Sequence, residues 1–143
     1  MDHAINPLLG PIVALVAWTI VILFVGAYRT ISAAKTADLK GVPKAARARD
    51  LEGHIPLEAT WGRQNYEHLV EQPTLFYAIV LTLVAIGDTF ALNLYLAWAY
   101  VVLRVVHSIV QLMGKSRFLP FIGSTLVLVA LTVHAALEFL HHA

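Results

Sequence analysis

Apolar residues run almost unbroken through four stretches of this chain: Ala4 to Tyr28, Leu69 to Gly87, Phe90 to Met113 and Phe118 to Leu140. Leucine, valine and alanine go right around each helix that such a stretch would form, leaving none of the polar faces that a water-facing helix carries. Each stretch is close to the ~20 residues that cross a hydrocarbon core as an α-helix. The pattern predicts an all-α membrane protein, a bundle of four transmembrane helices forming a single domain over residues 1–143. A large soluble helical core is the alternative, and the missing polar faces argue against it. Gly87-Asp88-Thr89 is a tight polar turn, so the second and third spans should pack as an antiparallel pair. Pro73, early in the second span, removes a backbone hydrogen bond and is expected to kink the helix near Leu69. Pro120, in the first turn of the fourth span, marks a helix start.

Composition adds a compartment and a set of exclusions. The chain has 143 residues, 59% of them hydrophobic and 13% charged, which fits one integral membrane domain. The first apolar run follows Asp2 instead of a basic start, so it is expected to stay as an anchor and not to be cleaved. Lys35, Lys40, Lys44, Arg47, Arg49 and Arg63 lie between the first two spans, with Arg29 at the edge, and Lys115 and Arg117 lie between the last two. The positive-inside rule then puts both basic connections in the cytoplasm and both termini on the other side. Lys44 to Arg49 has two readings, a short helix lying on anionic headgroups or an ordinary solvated connector. The absence of cysteine excludes disulfides, a thiolate nucleophile and a cysteine-ligated metal, so any thiol must arrive with a substrate. A net charge of +1 gives no electrostatic footprint for nucleic acid.

Only Glu71, Arg104 and Glu138 are formally charged within the apolar stretches. Glu71 lies 17 positions before Asp88 and Arg104 lies 16 after it, so the two fall at nearly the same depth. An ionised group in hydrocarbon costs at least a few kcal/mol and normally faces a bundle interior, paired with another. An ion pair between Glu71 and Arg104 is therefore expected, either as a structural staple or as part of a binding site. Asn65, His68 and Glu71 or Gln72 share one face of the second helix, and Arg104, His107, Ser108 and Gln111 share one of the third. These faces match rung for rung toward the cytoplasmic mouth, which favours a site over a lone pair. His68 and His107 could also be opposed haem ligands, or join His134 at a metal, although hydrogen-bonded interior histidine is the plainer reading. His3, His141 and His142 are expected in solvent, and Glu138 in the outer headgroup layer. Gly10, Ala14, Ala17, Gly26 and Gly123 offer small surfaces for close helix contacts.

Three passages resemble the MAPEG family, the membrane-associated proteins in eicosanoid and glutathione metabolism. They are Asn65 to Tyr77, with a glutamate two residues before a proline and five before an aromatic pair; Arg104-Val105-Val106-His107-Ser108; and Gly114-Lys115-Ser116-Arg117 before the final apolar span. The resemblance covers nearly the whole chain in order and topology and is closest to uncharacterised bacterial members. It implies a homotrimer in the inner membrane, with sites between subunits that open to the cytoplasm and hold glutathione. Glu71 and Arg104 match the family's glutathione-holding residues, and Arg117 matches the arginine that stabilises the thiolate. Asn65, His68, His107 and Gln111 complete the candidate binding set, with lipophilic small molecules as the second substrate and no metal. His68 stands where the family has asparagine, and Gln111 where an aromatic hydroxyl is common. The resemblance thus implies either a glutathione transferase or peroxidase, or a non-catalytic accessory subunit on the same bundle.

Overall fold

A computed structural model describes residues 5–142. Asp2, His3 and the expected first-span start at Ala4 lie outside the described residues, as does the His142 side chain. The chain forms α1 (Leu9–Ala34), a single 3-10 turn (Ala48–Leu51), α2 (Leu57–Ala85), α3 (Ala91–Leu112) and α4 (Phe118–His142). All four α-helices are long and apolar enough to cross a membrane. Their outer faces carry exposed apolar side chains such as Phe24, Leu75, Val102 and Leu126, the inverse of a water-soluble bundle. The protein is an all-α, four-helix, multi-pass membrane protein.

Helix boundaries differ from expectation at three places. α2 begins at Leu57, well ahead of Leu69, and α1 starts only at Leu9 and continues past Tyr28 to Ala34. In α2 the buried positions Thr60, Gly62, Asn65, Leu69, Pro73 and Phe76 recur every two to four residues. The polar lead-in therefore shares one packed stripe with the apolar part, and burial extends the helix where hydropathy would end it. Pro73 sits inside α2 without ending it. Lys44 to Arg49 forms no surface helix: a turn closed by the Ala46 amide on the Pro43 carbonyl at 2.9 Å is followed by the 3-10 turn Ala48–Leu51, where the Arg47 amide donates to Asp50 Oδ2 at 2.8 Å.

Helix contacts follow small residues and caps. Gly26 and Gly62 bring α1 and α2 into backbone contact, because a Cβ on Gly62 would lie 2.6 Å from the Gly26 Cα. α2 ends at a glycine in the left-handed region, Gly87 with φ +74, where the Asp88 amide donates to the Leu83 carbonyl at 2.9 Å. α3 ends in the same way at Gly114, with the Lys115 amide on the Val110 carbonyl at 3.1 Å. Asp88 then holds α3, accepting from Asn93 Nδ2 at 3.1 Å. At the other end the long connection is folded against α2 by Arg63, which pairs with both Glu52 and Glu67, while Arg49 also reaches Glu67.

Candidate functional site

α2 and α3 are stitched together by two reciprocal bonds: Asn65 Nδ2 donates to the Ser108 carbonyl, and the Ser108 hydroxyl donates to Asn65 Oδ1, both at 2.8 Å. Asn65 and Ser108 are fully buried. This joint fixes the register of the two polar faces. Beside it, at the end of the bundle that carries the basic connections, opens a cleft of about 640 Å³. His68, Glu71, Arg104, His107, Gln111 and Arg117 all line it. Asn65, expected among the ligand-holding residues, does not line it, because its amide is consumed between the helices.

Arg104 is the largest fully buried side chain, only 2% exposed. The expected ion pair with Glu71 is not formed. Arg104 Nη2 donates instead to the His68 backbone carbonyl at 2.9 Å, and Glu71 Oε2 sits 3.3 Å from His68 Nδ1. Pro73 has no N–H to offer the Leu69 carbonyl, and the carbonyl that takes Arg104 is the one before it. Glu71 lies on the outer side of α2, with its side chain 68% exposed. It and Arg104 still line the one cleft. Below the guanidinium, 5.8 Å from its carbon, is the Tyr100 ring, itself stacked on Phe76 at 4.4 Å.

The imidazoles of His68 and His107 meet edge to face at 6.1 Å, and His107 faces Phe121 at 6.5 Å. His134 is not with them. Its Nδ1 lies 2.8 Å from Asn93 Oδ1, in a chain that continues to Asp88 at the opposite end of the bundle. The three histidines therefore do not converge on a metal. Among the described residues, no group of three or more His, Cys, Asp and Glu side chains could hold one.

Trp61, Gln64, Gln72, Phe118 and Phe121 also line the cleft. Trp61 and Gln64 precede His68 by seven and four positions, two turns and one turn up the same helix face, so extending the polar stripe of α2 upstream would have found them. Gln72 donates to Thr125 Oγ1 at 2.9 Å and so ties α2 to α4. Trp61 closes the cleft by lying on Gly114, where an added Cβ would come within 2.5 Å of the indole.

Four polar atoms on these walls are buried and lack a hydrogen-bond partner: Arg104 Nε, Gln72 Oε1, and both Nε2 and Oε1 of Gln111. Such atoms cost about 1–3 kcal/mol each when left unmade. Together they present donors and acceptors that a polar ligand with both kinds of group can complete.

No curated protein and no solved structure matches the chain. The MAPEG family model matches residues 8–137, a segment that includes α1, α2 and α3 whole and most of α4, and the chain belongs to the MAPEG family.

Proposed function

We propose that the cleft binds glutathione or a closely similar anionic thiol and that the protein acts with it on lipophilic substrates. The observation that carries this reading is the set of buried, unpartnered atoms on Arg104, Gln72 and Gln111. Glutathione offers carboxylates and peptide carbonyls to the Arg104 and Gln111 donors, and amide and ammonium hydrogens to the glutamine oxygens and to Glu71. Arg117, on the cleft wall at the start of α4, supplies a cation that would favour the thiolate. In a transferase step the sulfur would bond to an electrophilic carbon while the thiol proton and leaving group pass to water. In a peroxidase step two thiols would become a disulfide as a hydroperoxide becomes an alcohol and water.

Assembly enters the same reading. Counting roughly 20 residues of hydrocarbon back from the end of α2 at Ala85 places Glu71 inside the apolar layer. A carboxylate there with its side chain 68% exposed needs cover, and a neighbouring copy in a homotrimer provides it. The basic connections would face the cytoplasm, consistent with a bacterial inner-membrane protein whose cleft opens inward.

The test is calorimetric titration of detergent-purified protein with glutathione. Binding is expected for wild type and is expected to be lost in Arg104→Leu and Gln111→Leu. No binding by wild type, or unchanged binding in both variants, would eliminate the site. A second reading, an accessory or scaffold subunit without catalysis, is favoured by Gln111, whose neutral amide cannot supply a proton as a phenol can. Turnover of an aryl halide with glutathione, abolished by Arg117→Ala, would exclude the scaffold.

A further inference from the structure

A second groove, of about 480 Å³, lies outside the cleft, where the end of α1, the start of α2 and the end of α3 meet. Tyr28, Arg29, Ser32, Glu58, Trp61 and Leu112 form its walls. The Thr30 hydroxyl donates to the Ala59 carbonyl at 3.4 Å, which sets the antiparallel helices at one level and brings their neighbours Arg29 and Glu58 to the same groove. Arg29 makes one long bond, from Nη1 to the Leu112 carbonyl at 3.5 Å. Among the described residues Arg29 and Glu58 form no ion pair, although both line the groove. A cation and an anion are thus held apart on one surface, with the Ser32 hydroxyl beside them.

The groove's place along the chain gives its surroundings. Arg29 directly follows the apolar run that ends at Tyr28, and the basic connection begins a few residues later. Tyr28 and Trp61 are the residue types that settle at the membrane–water boundary. From Tyr28, which is 74% exposed, an apolar track continues down the same face of α1 through the exposed side chains of Phe24 and Val21. The polar pocket therefore sits at the head of an apolar strip along which an acyl chain can lie.

We propose that this groove is a binding site for the headgroup of a zwitterionic aminophospholipid. Arg29 and the Ser32 hydroxyl hold the phosphate, the Glu58 carboxylate accepts from the primary ammonium, and one acyl chain lies along Tyr28, Phe24 and Val21. Glu58 discriminates against headgroups with a net negative charge, and its need for N–H donors discriminates against a quaternary ammonium. None of the three polar residues lines the cleft, so the site stands whether or not the cleft holds a thiol.

The test uses full-length detergent-solubilised protein titrated separately with dioleoyl phosphatidylethanolamine, phosphatidylcholine and phosphatidylglycerol, with retained lipid counted by native mass spectrometry. Phosphatidylethanolamine should be retained best. Glu58→Gln should lower its retention about tenfold and leave phosphatidylcholine unchanged, a loss on the scale of one charge-assisted hydrogen bond. Arg29→Gln should weaken both, and Arg29→Lys should restore part of the retention, which separates phosphate binding from damage to the fold. Equal retention of the three lipids, a preference for phosphatidylglycerol, or retention unaffected by either glutamine variant would overturn the proposal.

Discussion

Arg104 has two ties and a buried donor left over: Nη2 on the His68 carbonyl, its guanidinium carbon over the Tyr100 ring, and Nε without a partner. Lysine cannot reproduce that arrangement, because its single ammonium lacks the flat fork. Arg104→Lys should therefore lower glutathione affinity at least about tenfold in calorimetric titration, although the charge is kept. Asn65 behaves differently, since it touches Ser108 and not the cleft. Asn65→Ala should cost about 1–3 kcal/mol of unfolding stability, read from a denaturation midpoint, while the folded fraction binds ligand as wild type does. The contrast shows what residue spacing conveyed. Of the six candidates ranked by counting from Asp88, five line the cleft, and Arg117, matched by resemblance, joins them; but such a count carries no azimuth. Arg104 turns inward and Glu71 outward, and the backbone carbonyl that takes Arg104 has no signature in side-chain spacing.

At the level of helices, the closest constraint is the contact of Gly26 with Gly62. Gly62→Ala would place a methyl where the facing backbone already is, forcing α1 and α2 apart. We expect a loss of about 1–3 kcal/mol in thermal or denaturant unfolding, the scale of overpacking, with no rescue by Gly26→Ala. Gly114 meets two demands at once, a φ of +67 and the Trp61 ring against it. The spans were legible from hydropathy, and so was the short turn at Asp88. The early start of α2 was not, because its first turns are polar by composition and helical by packing: Thr60, Gly62 and Asn65 are buried against neighbours that are distant in sequence. Gly26 could be read as a small contact residue, but its partner Gly62 lay in a stretch that looked like a connector.

For the molecule as a whole, the cysteine-free sequence makes topology directly measurable. Single cysteines replacing Lys44, Lys115 or Thr89 can each be probed with a membrane-impermeant maleimide. Labelling at 44 and 115 from the cytoplasm and at 89 from the opposite side is expected, and the reverse pattern would invert the orientation. Light scattering in detergent should give the mass of three chains, and Glu71→Gln should leave that mass unchanged while weakening glutathione binding. What the family contributes at this scale is the bundle and its order of helices. The positions of Phe118 and Phe121 around the cleft came from packing alone, since aromatic side chains in apolar spans have no distinguishing pattern.

The buried, unanswered amide of Gln111 has a consequence over evolutionary time. A leucine there would remove two stranded polar atoms and make the empty protein easier to fold. A lineage that stopped using the cavity would thus gain by drifting toward hydrocarbon at position 111, so glutamine at that place behaves as a gauge of whether the cavity is still in use.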